Sequence, residues 1–178
     1  MQEKQCKKFS LKINVSFENI NSKLKKLGCA LKESYYILDI YMANKNYLKN
    51  NVQSINGIPD YLIIRDYNNE KREILLFNDG VFKGDIKGVF STKVILEKLE
   101  YEELFNINKE VFVYSKDELY FKIVNVRNLG FFLEYDKDSD IIKITKILDD
   151  LKINYDKNII RNDYADLAFN KYIKGKNL

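Results

Sequence analysis

Histidine and tryptophan are absent from this 178-residue chain, and proline occurs once, at Pro59. Without an imidazole there is no Ser-His or Cys-His nucleophile pair. Any chemistry must come from carboxylates, Lys, Arg, Tyr or a metal. The only cysteines are Cys6 and Cys29, with no CxxC spacing and no histidine to join them, so neither a zinc site nor a disulfide framework is expected. No apolar run is long enough for a membrane span, and the stretch from Met1 to Lys8 is polar and lysine-rich, without an apolar signal core. A cytoplasmic protein with no membrane partner is the expectation. Charge of one sign is scarce as well. The 30 Lys and Arg exceed the 26 Asp and Glu by a net +4, spread evenly, so no nucleic-acid partner is expected.

What the chain does have is a 46% hydrophobic and 31% charged composition, enough to bury one core, and a single domain over residues 1–178 is expected. Its 13% aromatic fraction is all Tyr and Phe, mostly in short runs with Val, Ile and Leu, which favours strands. Phe9, Leu11, Ile13 and Val15 alternate with Lys8, Ser10, Lys12 and Asn14, the pattern of a strand with one polar face. Phe17, Ile20, Leu24 and Leu27 then recur at helical spacing, with Gly28 placed to end the helix. Tyr35 to Met42 reads as a strand and Asn44 to Asn56 as a loop. After Pro59, Tyr61 to Tyr67 and Arg72 to Asn78 form a hairpin about Asn68-Asn69. Gly80, Gly84 and Gly88 suggest a loop, and Leu96, Leu99, Glu100 and Glu103 a helix over Thr92 to Leu104. Strands follow at Glu110 to Tyr114, Leu119 to Val126 and Phe131 to Tyr135, then helices at Ser139 to Leu151 and Tyr164 to Tyr172.

Particular segments in this order resemble the CYTH superfamily, which includes class IV adenylyl cyclases, thiamine triphosphatases and inorganic triphosphatases. Leu38-Asp39-Ile40-Tyr41 resembles the family's D-x-Y segment, and Leu62-Ile63-Ile64-Arg65 its L-R-I-R strand. Leu129-Gly130-Phe131-Phe132-Leu133-Glu134-Tyr135-Asp136 is similar to L-G-x-F-x-E-x-E, and Asn162-Asp163-Tyr164-Ala165-Asp166-Leu167 to the C-terminal S-Y-x-D-L helix. The resemblance implies an α+β fold: a closed antiparallel β-barrel, or triphosphate tunnel, with peripheral helices. It also implies a triphosphate or nucleotide ligand held by inward Lys and Arg, with inward carboxylates holding Mg²⁺ or Mn²⁺.

The departures fall on the tunnel-lining positions. The family's opening E-x-E-x-K appears as Lys8, Ser10 and Lys12, so only the lysine survives. Ile63 replaces the first arginine of L-R-I-R, Asn78 stands where a lysine is usual, the K-x-R pair reads Lys109 and Val111, and Val124 stands for an aspartate. The implied phosphate ligands are Lys8, Lys12, Arg65 and Lys109, the implied metal ligands Glu134 and Asp136, with Asp39 and Tyr41 in support. A hard divalent cation wants several oxygen ligands, usually more than one carboxylate, and a lysine at position 8 would repel it. Two readings stay open: a divergent enzyme that hydrolyses or cyclises a triphosphate with metal, and a catalytically inactive ligand-binding or interaction protein. Glu134 and Asp136 equally suit a solvated strand face paired with neighbouring lysines. A homodimer remains compatible with either.

Overall fold

The computed structural model describes residues 8–13, 16–47, 55–58, 60–68, 70–78, 80–136, 141–153 and 164–176. Eight strands, β1 (Lys8–Ile13), β2 (Ala30–Asn44), β3 (Tyr61–Tyr67), β4 (Lys71–Asn78), β5 (Gly80–Asp85), β6 (Tyr101–Lys116), β7 (Leu119–Val126) and β8 (Gly130–Asp136), make one antiparallel sheet in the order β1-β8-β7-β6-β2-β3-β4-β5. The α-helices are α1 (Phe17–Lys26), α2 (Val89–Lys98), α3 (Ile141–Asp150) and α4 (Tyr164–Lys176). The fold class is α+β. No helix among the described residues is long and apolar enough to cross a membrane. The chain divides into two compact units, Met1–Tyr35 with Lys109–Asp163, and Tyr36–Asn108 with Tyr164–Leu178.

In the first unit the alternation of β1 decides which way it faces. Leu11 and Ile13 are buried, and Leu11 lies opposite Leu133 of β8, so this side of the strands joins Phe112, Tyr114, Phe121, Ile123 and Tyr135 in one core. Helices α1 and α3 cover that core with Ile20 and Leu24, and with Ile144, Ile147 and Leu148. Both helices end by the same device. After α1, Gly28 at φ 78° donates to Lys25 O, and Cys29 N donates to Leu24 O, each at 3.0 Å, a left-handed cap that satisfies carbonyls the helix leaves open. After α3, Lys152 at φ 51° takes the same place, with Ile153 N donating to Leu148 O at 3.0 Å. Cys29 is buried as a free thiol, pushed up from its ordinary value by burial, while Cys6 lies outside the described residues.

The second unit packs one face of β2, β3 and β4 against α2. Ile40, Met42, Leu62, Ile64 and Leu96 are its buried centre, flanked by Leu38, Ile74, Ile86, Val89 and Tyr101. The other face, from Asp39 and Arg65 to Glu73, is the polar one. Tyr101 donates a 2.7 Å hydrogen bond to Asp60, and burial together with that carboxylate pushes its hydroxyl up to about 12.

Two expected elements are corrected. The segment from Gly80 to Asp85 is a strand, paired from Glu73↔Asp85 to Asn78↔Gly80, and not a loop. Its glycines signalled a break, but pairing with a neighbouring strand, which satisfies the backbone groups along that side, outweighs local preference. The helix expected to reach Leu104 stops at Lys98; Glu100 adopts φ 67°, and β6 starts at Tyr101. Leu99 and Glu100 carried the helical spacing, yet the alternately buried Ile107, Lys109 and Val111 belong to a strand. The strand expected from Tyr35 also starts earlier, at Ala30.

Leu133 is fully withdrawn from water within the first unit's core. Leu133→Ala is expected to lower unfolding stability by about 2–5 kcal/mol through lost burial and the cavity left behind, measured by urea denaturation followed by circular dichroism.

Candidate functional site

Antiparallel register carries the polar face of the second unit across its strands. Asp39 of β2 lies opposite Arg65 of β3, Arg65 opposite Glu73 of β4, and Glu73 opposite Asp85 of β5. Directly opposed side chains on one face stand about 5 Å apart at their Cβ atoms, so this row is a set of neighbours. Asp39 is fully buried, and Arg65 clamps it in a fork, Nε donating to Oδ1 at 2.5 Å and Nη2 to Oδ2 at 2.9 Å. Burial disfavours the guanidinium charge, but the Asp39 carboxylate and its hydrogen bonds outweigh this, and Arg65 is held above its ordinary value. The guanidinium also stands 5.9 Å from the centre of the Tyr67 ring.

Tyr67 continues the chain by donating to Glu73 Oε1 at 3.0 Å. Glu73 is buried, and its other oxygen, Oε2, is approached by Lys83 at 2.9 Å and Lys71 at 3.5 Å. Burial opposes the Glu73 charge, but Lys83, Tyr67 and Lys71 together outweigh it and hold the carboxyl below its ordinary 4.5. Tyr41 has a different setting. It is buried, stacked on Phe105 at 4.6 Å and near Tyr61 at 6.5 Å, with Phe169 and Tyr172 of α4 next to Phe105. Asp166, from the segment likened to S-Y-x-D-L, accepts a hydrogen bond from Ile55 N at 3.2 Å and so anchors α4 to the turn at Ile55–Gly57.

In the first unit the polar face lies opposite the core described above. Its register forms two rows, Ser10, Glu134, Lys122 and Val113, then Lys12, Phe132, Val124 and Val111, with Lys109 following beside Val126. Phe132, Val124 and Val111 are buried, as are Glu134 and Lys109, whereas Lys12 and Lys122 keep partial exposure. Gly130 sits at φ 101°, a left-handed backbone that glycine adopts without strain, and Lys12 Cε lies close by, 3.8 Å from where a Cβ would stand. Lys122 donates a 3.3 Å hydrogen bond to the Tyr35 hydroxyl. Lys8 and Asp136 are register partners at the end of the β1–β8 ladder, and their side chains lie outside the described residues.

The sequence-named residues thus fall into two groups. Asp39 and Arg65 are joined directly, with Tyr41 two residues along the same strand face, all in the second unit. Lys12, Lys109 and Glu134 share the polar face of the first. The sequence reading missed Glu73, Lys83 and Lys122. Counting the β3–β4 register back from the Asn68 turn would have found Glu73 opposite Arg65. Lys83 was hidden because its segment looked like a loop. Lys122 alternates on the same face as Val124, a position that had already been singled out.

Fit to a divalent metal can be judged from the donors. Asp39 is committed to Arg65, and Glu73 to Tyr67 and two lysines, so neither offers a carboxylate to a hard cation. Among the described residues no three His, Cys, Asp or Glu side chains gather where they could hold an ion. Glu134 alone, with Lys122 opposite it, does not meet the oxygen-rich requirement of Mg²⁺ or Mn²⁺.

No family model matches the chain, and no curated protein matches it. Solved structures do. Protein PH1819 from Pyrococcus horikoshii OT3 is similar with a TM-score of 0.63 and 16% identity, over 94% of this chain and 98% of that one. Hippeastrum HpAC1, named as a candidate adenylyl cyclase with a dominant triphosphatase activity, gives a TM-score of 0.60 at 12% identity over 92% and 94%. A candidate adenylate cyclase from Vibrio parahaemolyticus gives 0.55 at 12% over 94% and 97%. At such identities the likeness is one of fold alone, and the fold is the CYTH-like one that the sequence resemblance implies.

The ion row supports two predictions. Asp39→Asn removes the charge that matches the largely buried Arg65, and unfolding stability is expected to fall by about 3–5 kcal/mol in urea titrations. Because the folded carboxyl of Glu73 is depressed, the stability it contributes is present above pH 4.5 and is lost as pH falls through the folded value. Thermal melts of Glu73→Gln between pH 3 and 6 are therefore expected to show a shallower acid limb than the parent chain, and an equally steep limb would contradict the role given to Glu73.

Proposed function

We propose that the chain is a CYTH-like binding protein for a triphosphate-bearing or nucleotide ligand, capturing it without metal-driven turnover. The observation that carries this is the state of the carboxylates: Asp39 and Glu73 each neutralise cations of the chain itself, while Lys12 and Lys109 share a face with Glu134. A phosphate chain needs several cations, and Lys supplies them as point charges. Arg65 is a further proposed phosphate ligand, its Nε and Nη2 held by Asp39. The reading carries with it one domain over residues 1–178, a closed β-barrel as the enclosure, and Lys8 as a further cation. The fold shared with HpAC1, named as a candidate adenylyl cyclase with a dominant triphosphatase activity, supports the ligand class.

A second reading keeps Mg²⁺ or Mn²⁺ at Glu134 with Asp136, and with it hydrolysis or cyclisation. What favours it is that Glu134 has neither a hydrogen bond nor an ion pair among the described residues, although it is buried. Isothermal titration calorimetry with tripolyphosphate and with ATP, each with and without Mn²⁺, separates the two. The expected result is binding with no dependence on Mn²⁺ and no continuing heat, weakened at least tenfold by Lys12→Ala. Continuing heat only with Mn²⁺ would favour the enzyme, and no heat from either ligand would overturn both.

A further inference from the structure

We infer that Lys122 is an additional anion-binding residue of the first unit's polar face, taking one phosphate group of the ligand, and that Tyr35 is its positioning residue. This rests on the ligand class proposed above. Strand register puts Lys122 directly opposite Glu134 across the β7–β8 ladder, on the face that also carries Lys12 and Lys109. Opposite charges so placed ordinarily close into an ion pair. Among the described residues these two do not. The ammonium turns to the hydroxyl of Tyr35, 3.3 Å away, and stands 6.0 Å from the centre of its ring. A hydroxyl and an aromatic face orient an ammonium without neutralising it.

Lys122 is only partly exposed, so its charge has lost part of its hydration without gaining a carboxylate. An anion arriving there recovers that loss, which is the physical basis of a preorganised phosphate contact. The charges of the face agree with this: Lys12, Lys109 and Lys122 stand against Glu134 among the side chains described there. Lys12 and Lys122 are the members with solvent access, and they lie on adjacent rows, one residue pair apart along β8, at Phe132 and Glu134. Because β8 lies between their strands, two inter-strand steps of about 4.8 Å and two residues along the strand put their backbones about 12 Å apart, a gap that two long lysine side chains can narrow towards one phosphate chain. An ammonium in this place also supplies without metal the positive charge that a divalent ion would otherwise bring.

The test is calorimetric titration of tripolyphosphate, without divalent metal, into the parent chain, Lys122→Ala, Lys122→Arg, Tyr35→Phe and the Lys122→Ala, Tyr35→Phe double variant. Circular dichroism and thermal melts confirm that each is folded. The expected result is at least tenfold weaker binding for Lys122→Ala and near-parental binding for Lys122→Arg. Tyr35→Phe should weaken binding severalfold in the parent background and not at all once Lys122 is gone, because it acts through that lysine. Parental binding retained by a folded Lys122→Ala would overturn the assignment while leaving the proposed function standing. Equal losses from Tyr35→Phe in both backgrounds would overturn the positioning role. A parent chain that does not bind tripolyphosphate would overturn the proposed function and this inference with it.

Discussion

Asp39 has no contact with water, and a carboxylate in that position calls for a matched cation, which Arg65, directly across the β2–β3 ladder, supplies by gripping both of its oxygens. That requirement, a matched cation for every buried anion, organises the polar face of the second unit. Arg65 needs Asp39, Tyr67 lies between Arg65 and Glu73, and Glu73 needs Lys83 and Lys71. Removing Asp39 leaves Arg65 largely buried without its carboxylate, and removing both lysines leaves Glu73 buried without a cation.

The first unit answers burial differently, leaving Glu134 buried with no ion pair among the described residues. Its corresponding face is largely apolar, with Phe132, Val124 and Val111 buried in a single row, and its charges are few. Where charges occur they are mostly lysines, whose long stems lie along apolar surface while the ammonium seeks a polar partner. Lys122 does this against Tyr35. Among the described residues this face carries more ammonium groups than carboxylates, and no three metal-ligating side chains gather to hold a divalent cation. Fold likeness to candidate adenylate cyclases does not alter that: a fold hosts many chemistries, and the side chains on its faces decide which.

The sequence by itself showed strands and helices side by side, because the period-two alternation in β1 and the 3.6-residue spacing of α1 and α3 are set by local side-chain order. It also determined the end of α1, since Gly28 tolerates the left-handed backbone that the cap needs. Which polar residues share a face within a strand was legible too, as with Lys12 beside Ser10 and Glu134 beside Phe132. Tertiary structure decided the rest. Whether Gly80 to Asp85 is loop or strand depends on β4 being there to accept its hydrogen bonds. Whether Glu73 is an ordinary surface glutamate or the buried anchor of two lysines depends on register across a hairpin and on Lys83 arriving from β5. Register between strands is a long-range property, fixed by which faces can be buried together, and no window of sequence contains it.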